Sequence, residues 1–142
     1  MRKIVCIVGL FVCICSCTVS PKKIEYGKDV CVFCDMTIVD KTHAAQYVTK
    51  KGRAYKFDAI ECLINKMQNI PKTELSFVLV TDYLHPTKLI DASKATYLIS
   101  SEIKSPMGAN LSAFINKNKV QEVIENQGGT EYNWQDIQKQ IK

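Results

Sequence analysis

The stretch Ala44-Ala-Gln-Tyr-Val-Thr49-Lys-Lys-Gly-Arg-Ala54-Tyr-Lys-Phe57 has the pattern of a β-hairpin. Two β-prone runs, 44–49 and 54–57, flank a turn in which Gly52 suits the positive φ of hairpin turns. Asp58 follows as a good helix N-cap residue, and Glu61 stands three positions later, as in a capping box. The sequence therefore predicts two strands followed by a helix.

The predicted helix runs to about Asn69 and ends before Pro71, which cannot continue it. Leu75-Ser-Phe-Val-Leu-Val-Thr81 is the strongest strand pattern in the chain. The helix carries an apolar stripe at helical spacing, formed by Ile60, Leu63, Ile64 and Met67. The first half is thus predicted to be a β-hairpin, a helix and a strand.

The same order of elements recurs in the second half. The predicted elements are strands at 88–92, 95–100, 111–115 and 130–134, with helices at 119–126 and 134–141. This pattern predicts an α+β fold of two similar small ββαβ units in tandem, covering residues 31–84 and 85–142. Neither unit is large enough to bury much surface alone, so we expect each to pack against the other or a partner.

The N-terminus has the features of an exported lipoprotein. Met1-Arg2-Lys3 is basic, and residues 4–14 are almost wholly apolar but too short for a membrane-spanning helix. The apolar run ends in Ile14-Cys15-Ser16-Cys17, which resembles a bacterial lipobox. We therefore expect a signal peptide at 1–16, a lipid on Cys17, and a polar tether over 17–30 that anchors the protein at the periplasmic side of a membrane.

Processing at Cys17 changes both the cysteine count and the charge. Of seven cysteines, only Cys31, Cys34 and Cys62 then remain as thiols, and an odd number argues against a disulfide framework. The formal charge falls from +5 to +3 when Arg2 and Lys3 are removed. The remaining lysines are scattered, so the sequence gives no indication of a nucleic-acid-binding surface.

Cys31-Val-Phe-Cys34-Asp-Met36 holds the clearest chemistry in the sequence. Two thiols three positions apart can converge within a turn, and an extended step of two places Met36 on the side of Cys34. Sulfur donors of this kind suit Cu(I), and a thioether is a poor zinc ligand. Three interpretations remain open from these residues: a copper carrier, a thiol–disulfide module, and a structural anchor for a membrane complex.

Four other residues are weighed as ligands. Met107 lies in the polar loop Ser105-Pro-Met-Gly108 and is predicted to complete the Cu(I) site from the second unit. His43 is a weaker candidate, and both His43 and His85 are expected to be exposed in turns. Cys62, on the predicted helix, is expected to be a buried small hydrophobic residue.

No pattern in the sequence supports catalysis other than thiol exchange. The aspartates do not pair into an acid–base arrangement, and two histidines in turns do not define a nucleophile–base set. A phosphate-binding Gly-rich loop is absent from the sequence. We therefore predict that the protein is not an enzyme.

Taken together, these residues resemble the NosL family of nitrous oxide reductase accessory proteins. The landmarks are Cys17; Cys31-Val-Phe-Cys34-Asp-Met36 with Ile38; the segment from Gly52 to Phe57-Asp58; Val80-Thr-Asp-Tyr83; Ile90-Asp-Ala92 with Ala95 and Tyr97; Ser105-Pro-Met-Gly108 with Asn110; and Gly128-Gly129. The resemblance runs from Cys31 to the C-terminus.

The resemblance implies a lipid-anchored periplasmic Cu(I) chaperone built from two ββαβ units. It implies as partners a copper-dependent nitrous oxide reductase and an ABC-type membrane transporter complex. From the residues and the resemblance together we predict Cys34, Met36, Met107 and Cys31 as the metal ligands, with His43 as a weaker candidate. Two positions depart from the family pattern: Asp35 stands where glycine is usual, and Cys62 has no usual counterpart.

Overall fold

The computed structural model describes residues 18–141 of the 142-residue chain. The predicted signal peptide and the predicted lipidation site Cys17 lie outside the described residues. No helix within 18–141 has the length and apolar character needed to cross a membrane.

The first four elements follow the predicted order of strand, strand, helix and strand. They are β1 (Ala45–Thr49), β2 (Ala54–Phe57), α1 (Ile60–Met67) and β3 (Leu75–Thr81). β1 lies between β2 and β3 and pairs antiparallel with both. The predicted apolar stripe of α1 faces the core, with Ile60, Leu63 and Ile64 buried and Met67 partly buried.

The second half repeats this arrangement after one extra strand. Its elements are β4 (Leu89–Asp91), β5 (Thr96–Ile99), β6 (Leu111–Phe114), α2 (Lys117–Gln127), β7 (Thr130–Tyr132) and α3 (Trp134–Gln140). β5 lies between β6 and β7 and pairs antiparallel with both. In each half, therefore, the first strand of the ββαβ pattern is central and the strand after the helix flanks it, which confirms the predicted structural repeat.

The two sheets are joined by pairing as well as by side chains. β4 extends the first sheet by pairing antiparallel with β3, giving the order β2-β1-β3-β4. Next to β3, Asp82 forms a bridge with Ala113 of β6, and the Tyr83 N–H donates to the Ala113 carbonyl at 2.8 Å. The backbone at residues 82–83 thus connects the first sheet to the second.

One hydrophobic core extends through both units. Ile38, Phe57 and Leu63 from the first half pack in the same cluster as Leu111 and Ile137 from the second. The expectation that the units pack against each other is confirmed. A smaller cluster beneath α2 is formed by Leu98, Ile103, Phe114 and Val120.

The segment predicted as a tether is folded over most of its length. The Lys22 N–H donates to the buried side chain of Gln46 at 2.8 Å, and the Gln46 amide donates back to the Lys22 carbonyl at 2.7 Å. Ile24 is buried in the main core, and Val30 forms a bridge with Thr37. The tether prediction for 17–30 is therefore corrected: residues 22–30 belong to the folded unit, because Ile24 supplies apolar surface that the core buries.

The predicted capping box at the start of α1 is wrong. The helix begins at Ile60, its N-cap is Ala59, and no side chain accepts a hydrogen bond there. Asp58 and Glu61 are instead both buried and have partners elsewhere in the fold. Carboxylates are rarely buried without a specific partner, so these two side chains point to a function other than capping.

A core shared by both units predicts one cooperative unfolding transition. Ile137 of α3 is fully buried in the main cluster, whereas Ile115, just after β6, is 42% exposed. We expect Ile137→Ala to lower the free energy of unfolding by about 2–5 kcal/mol and Ile115→Ala to lower it by less than about 1 kcal/mol. Urea unfolding followed by Trp134 fluorescence and by far-ultraviolet circular dichroism gives the measurement. If urea unfolding shows two transitions and Ile137→Ala shifts the midpoint of only one of them, the halves unfold independently.

Candidate metal centre

The loop that contains the sulfur residues is a closed turn fixed to the edge of the first sheet. The Cys31 N–H donates to the Met36 carbonyl at 2.8 Å, and the Asp35 N–H donates to the Cys31 carbonyl at 3.0 Å. The Val32 N–H donates to the Lys56 carbonyl of β2 at 3.1 Å. These bonds place the loop beside the junction between β2 and α1.

At that junction four ligand atoms converge. The Sγ atoms of Cys31, Cys34 and Cys62 and a carboxylate oxygen of Asp58 all lie within 4.8 Å of one another. Cys31, Cys62 and Asp58 are buried, and Cys34 is half-buried. The loop supplies two of the thiols, and the start of α1 supplies the third thiol and the carboxylate.

Cys31 is the thiolate of the cluster. The Cys62 thiol donates a hydrogen bond to its sulfur, and the backbone N–H groups of Cys34, Asp58 and Phe33 donate as well. These hydrogen bonds outweigh desolvation and lower the pKa of Cys31 to about 6. A deprotonated sulfur is the form that binds metal.

The other two thiols stay protonated in the absence of metal. Burial raises the pKa of Cys34 to about 11, and its Sγ lies 3.4 Å from Asp58 Oδ1 as a hydrogen-bond donor. The hydrogen bond to Cys31 raises the pKa of Cys62, and burial adds to this effect. A metal ion entering the cluster must therefore displace protons from Cys34 and Cys62.

The second oxygen of Asp58 has no hydrogen-bond partner among the described residues. Asp58 is 2% exposed, and its Oδ2 is fully buried. A buried polar atom without a partner is unfavourable unless something else satisfies it. The other oxygen of the same carboxylate, Oδ1, is the one that contacts the Cys34 thiol.

Sequence reasoning missed two of these four residues. Asp58 looked like a helix cap, and Cys62 was predicted to be a buried small hydrophobic residue. Its burial is confirmed, but its thiol contacts the sulfur loop. No local pattern indicated this pairing, because Asp58 precedes α1 and Cys62 lies inside it.

The two predicted thioether ligands are at the surface. Met36 is 49% exposed directly after the Cys34 turn, and Met107 is 41% exposed in the loop between β5 and β6. The Met107 loop is attached to the first turn of α1, because the Ser105 hydroxyl donates to Glu61 Oε1 and the Ala109 N–H also donates to that carboxylate. The structure thus brings the loop of the second unit to the same helix turn as Asp58 and Cys62.

His43 belongs to a different polar network. It is only 2% exposed, which contradicts the expectation of an exposed turn residue. Its Nδ1 lies 3.0 Å from Asp40 Oδ2, and its Nε2 lies 3.1 Å from Ser112 Oγ. The metal-capable group found among residues 18–141 does not include His43. His85 is exposed as predicted, with its Nδ1 2.6 Å from Asp82 Oδ2.

Comparison with known proteins agrees with this architecture. The family model described as NosL matches residues 21–142. The chain belongs to the NosL family. No curated protein matches it.

A solved NosL structure has the same fold. The crystal structure of the copper chaperone NosL from Shewanella denitrificans matches this chain with a TM-score of 0.71 and 21% sequence identity. The match covers 83% of this chain and 95% of that chain. At this level of identity the similarity establishes the fold, with its two tandem units.

The structure explains one departure of this chain from the usual NosL pattern. Asp35, which stands where glycine is usual, has a φ of 60°. This left-handed conformation is strained for residues with a Cβ, although aspartate tolerates it better than most. The turn therefore retains the conformation that glycine favours.

Restoring glycine at this position is expected to stabilise the turn. Asp35→Gly removes the Cβ strain, and we expect the free energy of unfolding to rise by up to about 1 kcal/mol. Lys104→Gly is the control, since Lys104 is exposed and has negative φ. The free energy of unfolding of the control should fall by roughly 0.5 kcal/mol, because glycine adds conformational entropy to the unfolded chain. If urea unfolding shows the same fall in the free energy of unfolding for both variants, the backbone at Asp35 is not strained.

The buried Glu61 predicts a pH-dependent stability. Burial raises the pKa of Glu61 above its ordinary value of 4.5. The folded protein then binds more protons than the unfolded chain, so this contribution to stability is complete below 4.5 and is lost as the pH rises through the folded pKa. Glu61→Gln keeps an oxygen for Ser105 and Ala109 but cannot ionise. We expect its stability relative to the wild type to increase as the pH rises from 4.5.

Urea unfolding at a series of pH values measures this difference. Glu125→Gln on the exposed side of α2 is the matched control and should follow the wild-type curve at every pH. Parallel curves for Glu61→Gln and the wild type would contradict the prediction.

Proposed function

We propose that this protein is a membrane-anchored, non-enzymatic Cu(I) chaperone that delivers copper for the maturation of nitrous oxide reductase. The observation that carries the proposal is the convergence of Cys31, Cys34 and Cys62 within 4.8 Å beside the exposed Met36. The structurally similar protein from Shewanella denitrificans is a copper chaperone, which supports the same role here.

The donor set favours Cu(I) as the cargo. Thiolate and thioether sulfur are soft ligands, and Cu(I) is the soft biological ion that accepts both. Cys31 is already a thiolate near neutral pH, so it can capture the ion first. Binding then releases protons from the other thiols, and the affinity for Cu(I) should weaken as the pH falls.

The position of the ligands suits transfer rather than storage. Cys34 is half-buried, and Met36 and Met107 are exposed, so the ligand group extends from the core to the surface. A recipient protein can approach the exposed sulfurs and replace them one at a time. We propose Cys34, Met36, Met107 and Cys31 as the transfer ligands, and we assign His43 to the Asp40–Ser112 network.

The location and partners are proposed from the N-terminal sequence and the family. A lipid on Cys17 would hold the folded unit at the periplasmic side of a bacterial membrane. There it would supply copper to nitrous oxide reductase together with an ABC-type membrane transporter complex. The exposed apolar side chains around the sulfur loop, Val32 and Phe33, give a recipient a surface to contact.

The geometry disfavours thiol–disulfide exchange by Cys31 and Cys34. An exchange reaction needs an accessible thiolate as the attacking group. Here the thiolate Cys31 is fully buried, and the accessible Cys34 has a pKa of about 11. The charge and the accessibility are therefore on different sulfurs.

Substitution of the surface sulfurs should weaken copper binding. We expect Cys34→Ser to lower Cu(I) affinity by at least about 100-fold, because it removes a thiolate ligand, and Met36→Ala to lower it by up to about 10-fold, because a thioether is the weaker ligand. The measurement is a Cu(I) titration of reduced protein against a competing chelator. Met67→Ala is the control, since Met67 packs on the core side of α1 and its loss should leave affinity unchanged.

Two results would overturn the proposal. Reduced wild-type protein that takes no Cu(I) from a weak chelator is not a copper chaperone. A Cys34→Ser, Met36→Ala double variant that still supports maturation of nitrous oxide reductase would show that these sulfurs do not serve delivery.

A further inference from the structure

Cys62 differs from the other two thiols in position and in access. Cys31 and Cys34 lie on the loop, whereas Cys62 lies in the first turn of α1. Cys62 is 0% exposed, and Leu63 and Ile64 beside it on the helix are also buried. A recipient protein at the surface therefore has no direct approach to the Cys62 sulfur.

The spacing of the three thiols allows one ion to contact all of them. Their Sγ atoms lie within 4.8 Å of one another. A metal–thiolate bond is about 2.3 Å for zinc, so two such bonds nearly span that separation. An ion between the sulfurs would be enclosed by the loop on one side and by α1 on the other.

We propose that Cys62 is a retention ligand that forms, with Cys31 and Cys34, an inner Cu(I) position behind the exposed transfer ligands. This inference rests on the proposed copper function and adds a second position to it. Cys31 and Cys34 belong to both positions, and Cys34 is the half-buried thiol of the three. The ion is held in the inner position and released through the outer one.

The step between the two positions is a ligand exchange without a redox change. In the inner position Cu(I) bonds to the Cys31, Cys34 and Cys62 thiolates, and the thiol protons of Cys34 and Cys62 have passed to solvent. On release the Cu–Cys62 bond breaks as a bond to Met36 or to a sulfur of the acceptor forms. The Cys62 thiolate then takes a proton back from solvent, and the copper remains Cu(I).

Asp58 is placed to orient Cys34 before copper enters, without binding copper itself. Its Oδ1 accepts the hydrogen bond from the Cys34 thiol at 3.4 Å, and its buried Oδ2 has no partner in the described structure. A carboxylate oxygen is a hard donor that Cu(I) does not favour. The side chain therefore orients the Cys34 thiol and leaves the sulfurs as the ligands.

The test compares binding and release in Cys62→Ser. We expect affinity for Cu(I) in a chelator competition to fall at least about tenfold and release to an excess of chelator to become at least about tenfold faster. Met36→Ala should instead slow the release to an acceptor protein. Ile64→Val is the control, because it removes one methylene from another buried position of α1 without removing a sulfur.

X-ray absorption on the Cu(I)-loaded protein counts the sulfur atoms bound to copper, and this number does not depend on the stability of the fold. A Met36→Ala, Met107→Ala double variant leaves cysteine as the sulfur source, and we expect three sulfur neighbours around copper. Two sulfur neighbours there, or wild-type affinity and release in a folded Cys62→Ser, would overturn the inner position.

The outcomes separate this inference from the proposed function. If the wild type binds no Cu(I), the copper function itself fails. If the wild type binds Cu(I) and Cys62→Ser behaves identically, the chaperone function stands and only the retention role is wrong. Should Cys62→Ser not fold, Cys62→Ala and the double methionine variant supply the same comparison.

Discussion

The first turn of α1 is where the fold and the candidate site depend on each other. Three polar side chains near it are buried: Asp58, Glu61 and Cys62. Each contacts a different partner, namely the Cys34 thiol, the Ser105 hydroxyl and the Cys31 sulfur, and one oxygen of each carboxylate has no partner among the described residues. Because burial without partners would be unfavourable, this turn requires the sulfur loop and the β5–β6 loop to be in place.

This requirement explains why the two units pack as one body. The sulfur loop belongs to the first unit, and the Ser105 loop belongs to the second. Both loops contact the start of α1, so the position of this helix depends on both halves. The hydrophobic core agrees, since Ile137 of the second half packs with Leu63 of α1. A metal site at such a junction is sensitive to any shift between the units.

Most of the fold was predictable from local patterns. The alternation in 44–57 and the apolar run 75–81 define strands, and the stripe on α1 defines its buried face, because these patterns depend only on neighbouring residues. The pairing of β4 with the first sheet could not be predicted in this way, since a three-residue strand has too little pattern to choose a partner. The burial of residues 22–30 depended on the single apolar residue Ile24.

The candidate site was predictable in part, and for a similar reason. Cys31, Cys34 and Met36 stand close together in sequence, so their spacing alone indicated chemistry. Asp58 and Cys62 lie more than twenty positions away, and each had a reasonable local role as a cap or as a core residue. Contacts between distant parts of the chain, such as the hydrogen bond from Val32 to Lys56 of β2 and the ion pair of Lys56 with Asp29, make them neighbours of the thiols.

The pairing of β4 with β3 has a consequence for how this architecture can be divided. The repeat suggests two equivalent modules. However, the strand Leu89–Asp91, which follows the first unit, pairs with β3 and forms the edge of the first sheet. A cut between the two units, after Leu84, would leave unpaired backbone groups on the outer edge of β3 and would remove Ile90 from the core. The two halves are therefore similar in structure, but we expect them to fold only when both are present.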